Sequence, residues 1–87
     1  AFRDLNPVAP THLLVIPKKH IASLAALEPE DQALMGEIML AIKELAQQEG
    51  LDDGFRVVAN TGPDGGQSVH HLHFHLLGGR SLQWPPG

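Results

Sequence analysis

Residues 69–79 of the chain read VHHLHFHLLGG, and this stretch decides the fold. It holds four of the six histidines, and three of them, His71, His73 and His75, alternate with apolar residues. Because successive side chains of a β-strand point to opposite faces, the pattern predicts a strand with one apolar face and one face of three imidazoles. Imidazole has an unperturbed pKa of about 6.5, so this face is a candidate for chemistry near neutral pH.

The segments around the histidine stretch predict a small α+β domain. Residues 12–16 (HLLVI) and 55–59 (FRVVA) are rich in β-branched and apolar residues and are predicted to be strands. Residues 29–49 are predicted to form one long helix, with a proline in its first turn and a glycine just after its end. Residues 1–10 are predicted to be extended, with a turn at 6–7. The predicted buried stripe of the helix comprises Leu34, Ile38, Ala41, Ile42 and Leu45, with Met35 and Met39 at its edge.

Composition limits the kind of protein this can be. The chain has 87 residues, of which 43% are hydrophobic and 18% charged, as expected for one globular domain. Its net charge of −4 provides no positive field for a nucleic-acid polymer, although Lys18 and Lys19 are adjacent. The absence of cysteine excludes disulfides, thiolate zinc sites and thiol nucleophiles. With no transmembrane-length apolar run and no signal-peptide pattern, we expect a cytoplasmic protein without a membrane partner.

Metal binding is the first chemistry that a histidine face suggests. Imidazole is a common zinc ligand, but the Cα atoms of His71 and His75 would lie about 13 Å apart along a strand, whereas zinc needs each nitrogen within about 2 Å. No carboxylate or thiolate lies near them in the sequence to complete a tetrahedral site. The spacing therefore argues against a metal.

Phosphoryl chemistry fits the histidines better. The central His73 is the natural nucleophile, and its two flanking imidazoles can orient it, bind phosphate oxygens or carry protons. The preceding loop at 60–68, NTGPDGGQS, holds three glycines, and its backbone can present N–H groups to an anion. Gly66 and Ser68 are the expected donors. A purely structural histidine face is the remaining alternative, and it would require a partner for each ring.

Four further residues are interpreted from their local surroundings in the sequence. Asp4 is expected to bond locally within the turn at 6–7, and His20 to border the following helix. His12 matters for function only if it faces the three histidines. The only tryptophan, Trp84, lies in the irregular terminal segment, where its exposure suggests that it packs on a partner.

Together the motifs resemble those of the histidine triad (HIT) family. The stretch HLHFHLL at 71–77 fits that family's alternation of histidine and apolar residues, and APTHLLVIPKKHI at 9–21, DGGQSVHHLHFHLLGGR at 64–80 and WPPG at 84–87 are similar to its nucleotide-binding branch. That branch hydrolyses purine nucleoside phosphoramidates. The resemblance covers residues 1–87 as a single domain, and it implies that the family's N-terminal segment is absent before residue 1.

The resemblance implies a role for each matching residue. His73 would attack the α-phosphorus and form a nucleotidyl-histidine that water hydrolyses, without a metal or other cofactor, supported by His12, His71, His75 and Ser68. Asp4 would hold the ribose hydroxyls, contrary to the local reading given above. The implied nucleotide-binding residues are Phe2, Asp4, Leu5, Asn60, Gly66, Gln67, Ser68, His73 and His75, with Phe2 and Leu5 lining the base pocket.

The resemblance also implies an assembly and leaves two alternatives. The chain would form a homodimer in which Trp84 reaches the partner's active site, and its ligands would be AMP, GMP or their phosphoramidate derivatives. One alternative is a dinucleoside polyphosphate hydrolase of the same superfamily. The other is a non-catalytic nucleotide-binding or scaffold protein, including one that holds zinc.

Overall fold

The computed structural model describes all residues from 1 to 87 as one antiparallel sheet and one long helix. The strands are β1 (Phe2–Arg3), β2 (Thr11–Val15), β3 (Phe55–Val58) and β4 (Phe74–Gly78), and the helix is α1 (Gln32–Gln48). Two short 3-10 turns, Leu24–Ala26 and Pro29–Asp31, precede the helix. The sheet order is β1-β2-β4-β3, with every neighbouring pair antiparallel. The predicted α+β class is confirmed.

The core lies between the helix and one face of the two central strands. Alternation along the strands places their apolar side chains on this face, and Leu76 is completely buried. The buried core residues are Leu13, Val15, Ile21, Ile38, Ile42, Ala46, Leu72, Phe74 and Leu76. The opposite face of β4 carries His75, so the packing of the apolar face fixes the position of this imidazole.

The long helix ends where the sequence predicts it should. Gly50 has a φ of 70°, and it donates to the Gln47 carbonyl while Leu51 donates to the Ala46 carbonyl. This pair of bonds satisfies carbonyls that the helix end would otherwise leave unpaired. The predicted start at residue 29 is a 3-10 turn, and the regular α-helix begins at Gln32.

The start of the helix is tied to the loop that follows β2. The buried Asp31 carboxylate accepts from Lys19 Nζ at 2.5 Å and from the Glu28 N–H at 2.9 Å. The hydrogen bond from Lys19, followed by that from Glu28, holds the pKa of Asp31 below its ordinary value of 3.8. The loop carrying Lys19 is thereby fixed to the first turn of the helix.

The predicted histidine strand is shorter than expected. Alternating burial runs through residues 71–77 as predicted, but the hydrogen-bonded strand begins only at Phe74. Val15 pairs with Phe74, and two residues later Pro17 has no N–H to continue the ladder. His71 and His73 therefore precede the strand, and only His75 belongs to it.

Some apolar surface of the sheet and the helix is uncovered. β3 is an edge strand whose Phe55 and Val57 are 44% and 40% exposed. On α1, Met39 and Leu40 are 45% and 63% exposed, because the buried stripe is centred on residues 38, 42 and 46. β1 pairs with β2 where only an extended segment was predicted. No helix has the length and apolar character needed to cross a bilayer.

Candidate functional site

His73 has one ring nitrogen fixed and the other available. Its Nδ1 lies 2.7 Å from the backbone oxygen of His71. A carbonyl oxygen can only accept, so the neutral ring carries its hydrogen on Nδ1. The lone pair is then on Nε2, which makes His73 able to act as a nucleophile or base at that atom.

A second chain of contacts fixes the tautomers of two more histidines. The Val8 N–H donates to Nδ1 of the buried His12 at 3.2 Å, which places the hydrogen of neutral His12 on Nε2. That Nε2–H donates to His75 Nδ1 at 2.8 Å. The hydrogen of neutral His75 is therefore on Nε2. The rings of His73 and His75 have centroids 5.1 Å apart, so the two sets of contacts meet.

His75 is kept in its neutral form. Burial lowers its pKa below the ordinary 6.5, and electrostatic interaction with the neighbouring imidazoles of His73 and His12 lowers it further, against a smaller opposing effect of Asp4. A neutral His75 can donate a hydrogen bond from Nε2 without adding a net positive charge to the site.

Asp4 makes the predicted local turn contact and also an unpredicted contact with His12. Its Oδ1 accepts from the Asn6 N–H at 2.8 Å, which is the local turn contact, while its Oδ2 lies 3.6 Å from His12 Nε2. The side chain therefore serves the turn and also faces the histidines.

The third imidazole, His71, is held by the loop after β2. Its Nε2 lies 3.0 Å from the Pro17 carbonyl oxygen and so carries the hydrogen. Its Nδ1 lies 3.2 Å from Nδ1 of His20.

An apolar pocket of about 220 Å³ adjoins these rings. Its lining residues are Phe2, Leu14, Ile16, Val69, His71 and His73. The pairing of Phe2 with Leu14 brings the N-terminal strand to this pocket. Leu14, Ile16 and Val69 were not predicted, although a period of two in residues 12–16 already assigns Leu14 and Ile16 to one face.

The predicted phosphate-binding loop makes most of its contacts internally. The Gly66 N–H donates to the Pro63 carbonyl, and the Asn60 amide donates to the Gly65 carbonyl at 2.6 Å. The Gln67 side chain donates to the carbonyls of residues 22 and 69 and accepts from the N–H of residue 62. Ser68 is exposed. Roles in nucleotide binding for these four residues stay predictions.

Two other predicted residues are highly exposed and do not line the apolar pocket. Leu5 is 95% exposed and does not line the apolar pocket. Trp84 is 80% exposed, with the Arg56 guanidinium 6.0 Å from its ring centroid. The predicted roles of Leu5 in the base pocket and of Trp84 at a partner's active site stay predictions.

The fold brings together a set of possible metal ligands that differs from the three clustered histidines. Donor atoms of Asp4, His12 and His75 all lie within 4.8 Å of one another. The carboxylate that is missing near the histidines in sequence is thus supplied by the N-terminal turn. The ring nitrogens that face each other are already hydrogen-bonded, so a cation would have to replace that bond.

Comparisons with known proteins agree on one family. The HIT domain family model matches residues 1–82. An uncharacterized HIT-like protein from Synechococcus elongatus is 62% identical over the whole chain and 76% of its own length. A 14 kDa zinc-binding protein from Zea mays is 54% identical over the whole chain and 70% of its own length.

Solved structures give the same result. A HIT family hydrolase from Legionella pneumophila superposes with a TM-score of 0.97 at 54% identity, over 99% of this chain and 78% of that one. A histidine triad nucleotide-binding protein from Candida albicans superposes with a TM-score of 0.77 at 34% identity, over 97% of this chain and 66% of that one. Sequence, family model and fold coincide over nearly every residue, and the chain therefore belongs to the HIT domain family.

Proposed function

We propose that the protein hydrolyses the P–N bond of purine nucleoside 5′-phosphoramidates through a nucleotidyl intermediate on His73. The observation that carries this proposal is the 2.7 Å contact from His73 Nδ1 to the His71 carbonyl, which leaves the Nε2 lone pair free to attack. The names of two relatives, a hydrolase and a nucleotide-binding protein, support the same class of activity.

In the first step, His73 Nε2 forms a bond to the α-phosphorus while the P–N bond breaks. The departing nitrogen takes up a proton from solvent and leaves as an amine, and we propose that the Ser68 hydroxyl hydrogen-bonds to that nitrogen. Because Nδ1 keeps its hydrogen, the modified ring is cationic, and the His71 carbonyl stabilises that charge.

In the second step, water attacks the same phosphorus and loses a proton to solvent, while the bond from phosphorus to His73 Nε2 breaks and releases the nucleoside monophosphate together with neutral His73. The neutral Nε2–H of His75 is a suitable donor to a phosphoryl oxygen in both steps, since its tautomer is fixed through His12. None of these residues changes its net protonation over the two steps.

The apolar pocket beside His73 is the proposed site for the purine base. Phe2 offers a ring face for stacking, and Leu14 and Ile16 offer apolar contact. Asp4, whose Oδ2 faces the histidines, is the proposed acceptor for the ribose hydroxyls. A base in this pocket would direct the 5′-phosphoryl group toward the histidines.

The proposed assembly is a homodimer. Its support is the uncovered apolar surface on the edge strand β3 (Phe55 and Val57) and on α1 (Met39 and Leu40), which a second copy related by a two-fold axis could cover. In such a dimer, Trp84 would contact the partner's site and influence which amine leaves.

A second candidate function is nucleotide binding without turnover, with zinc held by Asp4, His12 and His75. It is favoured by the clustering of their donor atoms and by the name of the maize relative. A dinucleoside polyphosphate hydrolase would use the same His73 attack but would release a nucleotide instead of an amine.

AMP release from adenosine 5′-phosphoramidate in excess chelator tests the proposal. The wild type is compared with His73→Asn, and His70→Asn serves as the matched control because His70 is exposed and has no side-chain hydrogen bond. We expect release that persists in chelator, is unchanged in the control and falls by at least about a thousandfold in His73→Asn. AMP binding should survive in all three proteins.

Two other results would decide against the proposal. Release that stops on chelation and returns with zinc would favour metal chemistry at Asp4, His12 and His75. AMP binding with no release under either condition would favour the binding protein.

A further inference from the structure

We propose that His20 is a positioning residue that orients His73 by holding the ring of His71. This inference rests on the proposed function, since its kinetic consequence is measured in that reaction. His20 belongs to the loop after β2, outside the set of histidines that the motif singles out.

The segment that carries His71 and His73 lacks the support that a sheet would give it. It precedes β4, so its backbone is not part of the hydrogen-bond ladder. It is instead tied to the loop at 17–22, where the Leu72 N–H donates to the Ile21 carbonyl at 2.6 Å and the His71 ring reaches the Pro17 carbonyl. The position of the nucleophile therefore depends on that loop.

The His20 ring completes the hydrogen bonding of His71. His71 Nε2 must donate to the Pro17 carbonyl, which leaves Nδ1 of the neutral ring as an acceptor. His20 Nδ1 lies 3.2 Å away and is the donor that this acceptor requires. The hydrogen of neutral His20 is then on its own Nδ1, and both nitrogens of His71 have partners.

The link to catalysis runs through a single residue. The His71 ring bonds to His20 and Pro17, while the His71 backbone oxygen accepts the hydrogen bond that orients His73. If the ring loses its donor, only the bond to Pro17 still holds it, and the His71 side chain can rotate. The His71 backbone, including the carbonyl that orients His73, is then held less firmly. His73 would then spend less time with its Nε2 lone pair aimed at phosphorus.

His20 is free to serve this purpose. It is exposed, and the contact with His71 is its only side-chain hydrogen bond. The neighbouring Lys19 is fixed to Asp31 at the start of the helix, which places His20 on an anchored part of the loop. The exposed ring of His20, held by this anchored loop, can therefore fix the position of the half-buried ring of His71.

Substitutions that mimic one ring nitrogen at a time give the test. Asparagine places an amide nitrogen near the position of Nδ1, whereas glutamine places it near that of Nε2, so His20→Asn keeps the required donor and His20→Gln does not. The comparison includes His20→Ala and the control His70→Ala. We expect kcat for adenosine 5′-phosphoramidate to fall about 3- to 10-fold in the alanine and glutamine variants, with little change in KM. His20→Asn and His70→Ala should stay within about twofold of wild type.

Histidine ¹⁵N NMR supplies a readout that does not need turnover. In the wild type we expect His71 to carry its hydrogen on Nε2, and His20 and His73 to carry theirs on Nδ1. In His20→Ala, the His71 and His73 signals should shift toward mixed tautomers, and in His20→Asn they should return to the wild-type pattern.

The outcomes separate this inference from the proposed function. Wild-type kcat and tautomers in His20→Ala, or an asparagine variant as impaired as the glutamine variant, would overturn the role of His20 whatever the reaction is. A wild-type protein without turnover would contradict the proposed function, while the NMR comparison would still test the positioning of His73.

Discussion

His12 Nε2 lies 2.8 Å from His75 Nδ1, and this contact joins β2 to β4 within the site. His12 is buried on β2 and receives the Val8 N–H, so its tautomer is set by the backbone. The tautomer of His75 on β4 follows from it. The pairing of β2 with β4 thereby determines that the hydrogen of neutral His75 is on Nε2, beside His73.

Loss of His12 should therefore impair the chemistry of His75. In His12→Ala, His75 Nδ1 loses its donor and the ring can place its hydrogen on either nitrogen. We expect kcat to fall at least about tenfold. His12→Gln, whose amide nitrogen lies near the position of Nε2, should recover part of that loss. Equal activity in His12→Ala and wild type, with both folded by circular dichroism, would contradict this role.

The lowered pKa of His75 predicts a pH dependence of stability. Below its ordinary pKa of 6.5 the unfolded chain binds a proton at His75, whereas the folded protein binds it only at lower pH. The free energy of unfolding should therefore decrease as the pH falls below 6.5, until the folded pKa is passed, and this contribution should be constant above 6.5. Urea unfolding at pH 7.5 and 5.5 and fixed protein concentration measures the loss. It should be smaller in His75→Gln than in wild type or His70→Gln, and equal losses in all three would refute the assignment.

The terminal segment should affect specificity more than folding. Its recorded contacts are peripheral: Arg56 donates to the Gln83 carbonyl at 3.0 Å and lies beside the Trp84 ring. Deletion of residues 83–87 should leave the free energy of unfolding within about 0.5 kcal/mol of wild type. The ratio of kcat/KM for aromatic over alkyl amine phosphoramidates should change several-fold, and Trp84→Ala should reproduce the change. A large loss of stability with an unchanged ratio would argue for a purely structural tail.

Much of the fold could be predicted because local patterns and packing agree. Apolar residues at helical spacing and a glycine at residue 50 predicted the long helix, and the alternation in 71–77 predicted which side chains are buried. The strand boundary could not be predicted in the same way. It depends on Pro17, which lies far from the clustered histidines in sequence but contacts His71 in the folded chain.

The candidate site was predicted less completely than the fold. The histidines could be found from their spacing, but the tautomer of each ring depends on a carbonyl or N–H contributed by another segment, such as Pro17 or Val8. The same holds for the carboxylate of Asp4, which the fold brings to His12 and His75. Sequence spacing contains no record of such contacts.

The exposed apolar surface predicts how two copies associate. Phe55 and Val57 lie on the edge strand β3, and Leu40 lies on the outer face of α1, so a charge at Val57 would face apolar or like-charged surface in a two-fold dimer. We expect Val57→Glu to raise the dimer dissociation constant at least about 100-fold, equivalent to about 2.7 kcal/mol. Leu24→Glu is the matched control, since Leu24 is also exposed but lies on a 3-10 turn. Sedimentation velocity from 0.1 to 100 μM protein measures both variants, and a wild type that is monomeric throughout that range would rule out the proposed dimer.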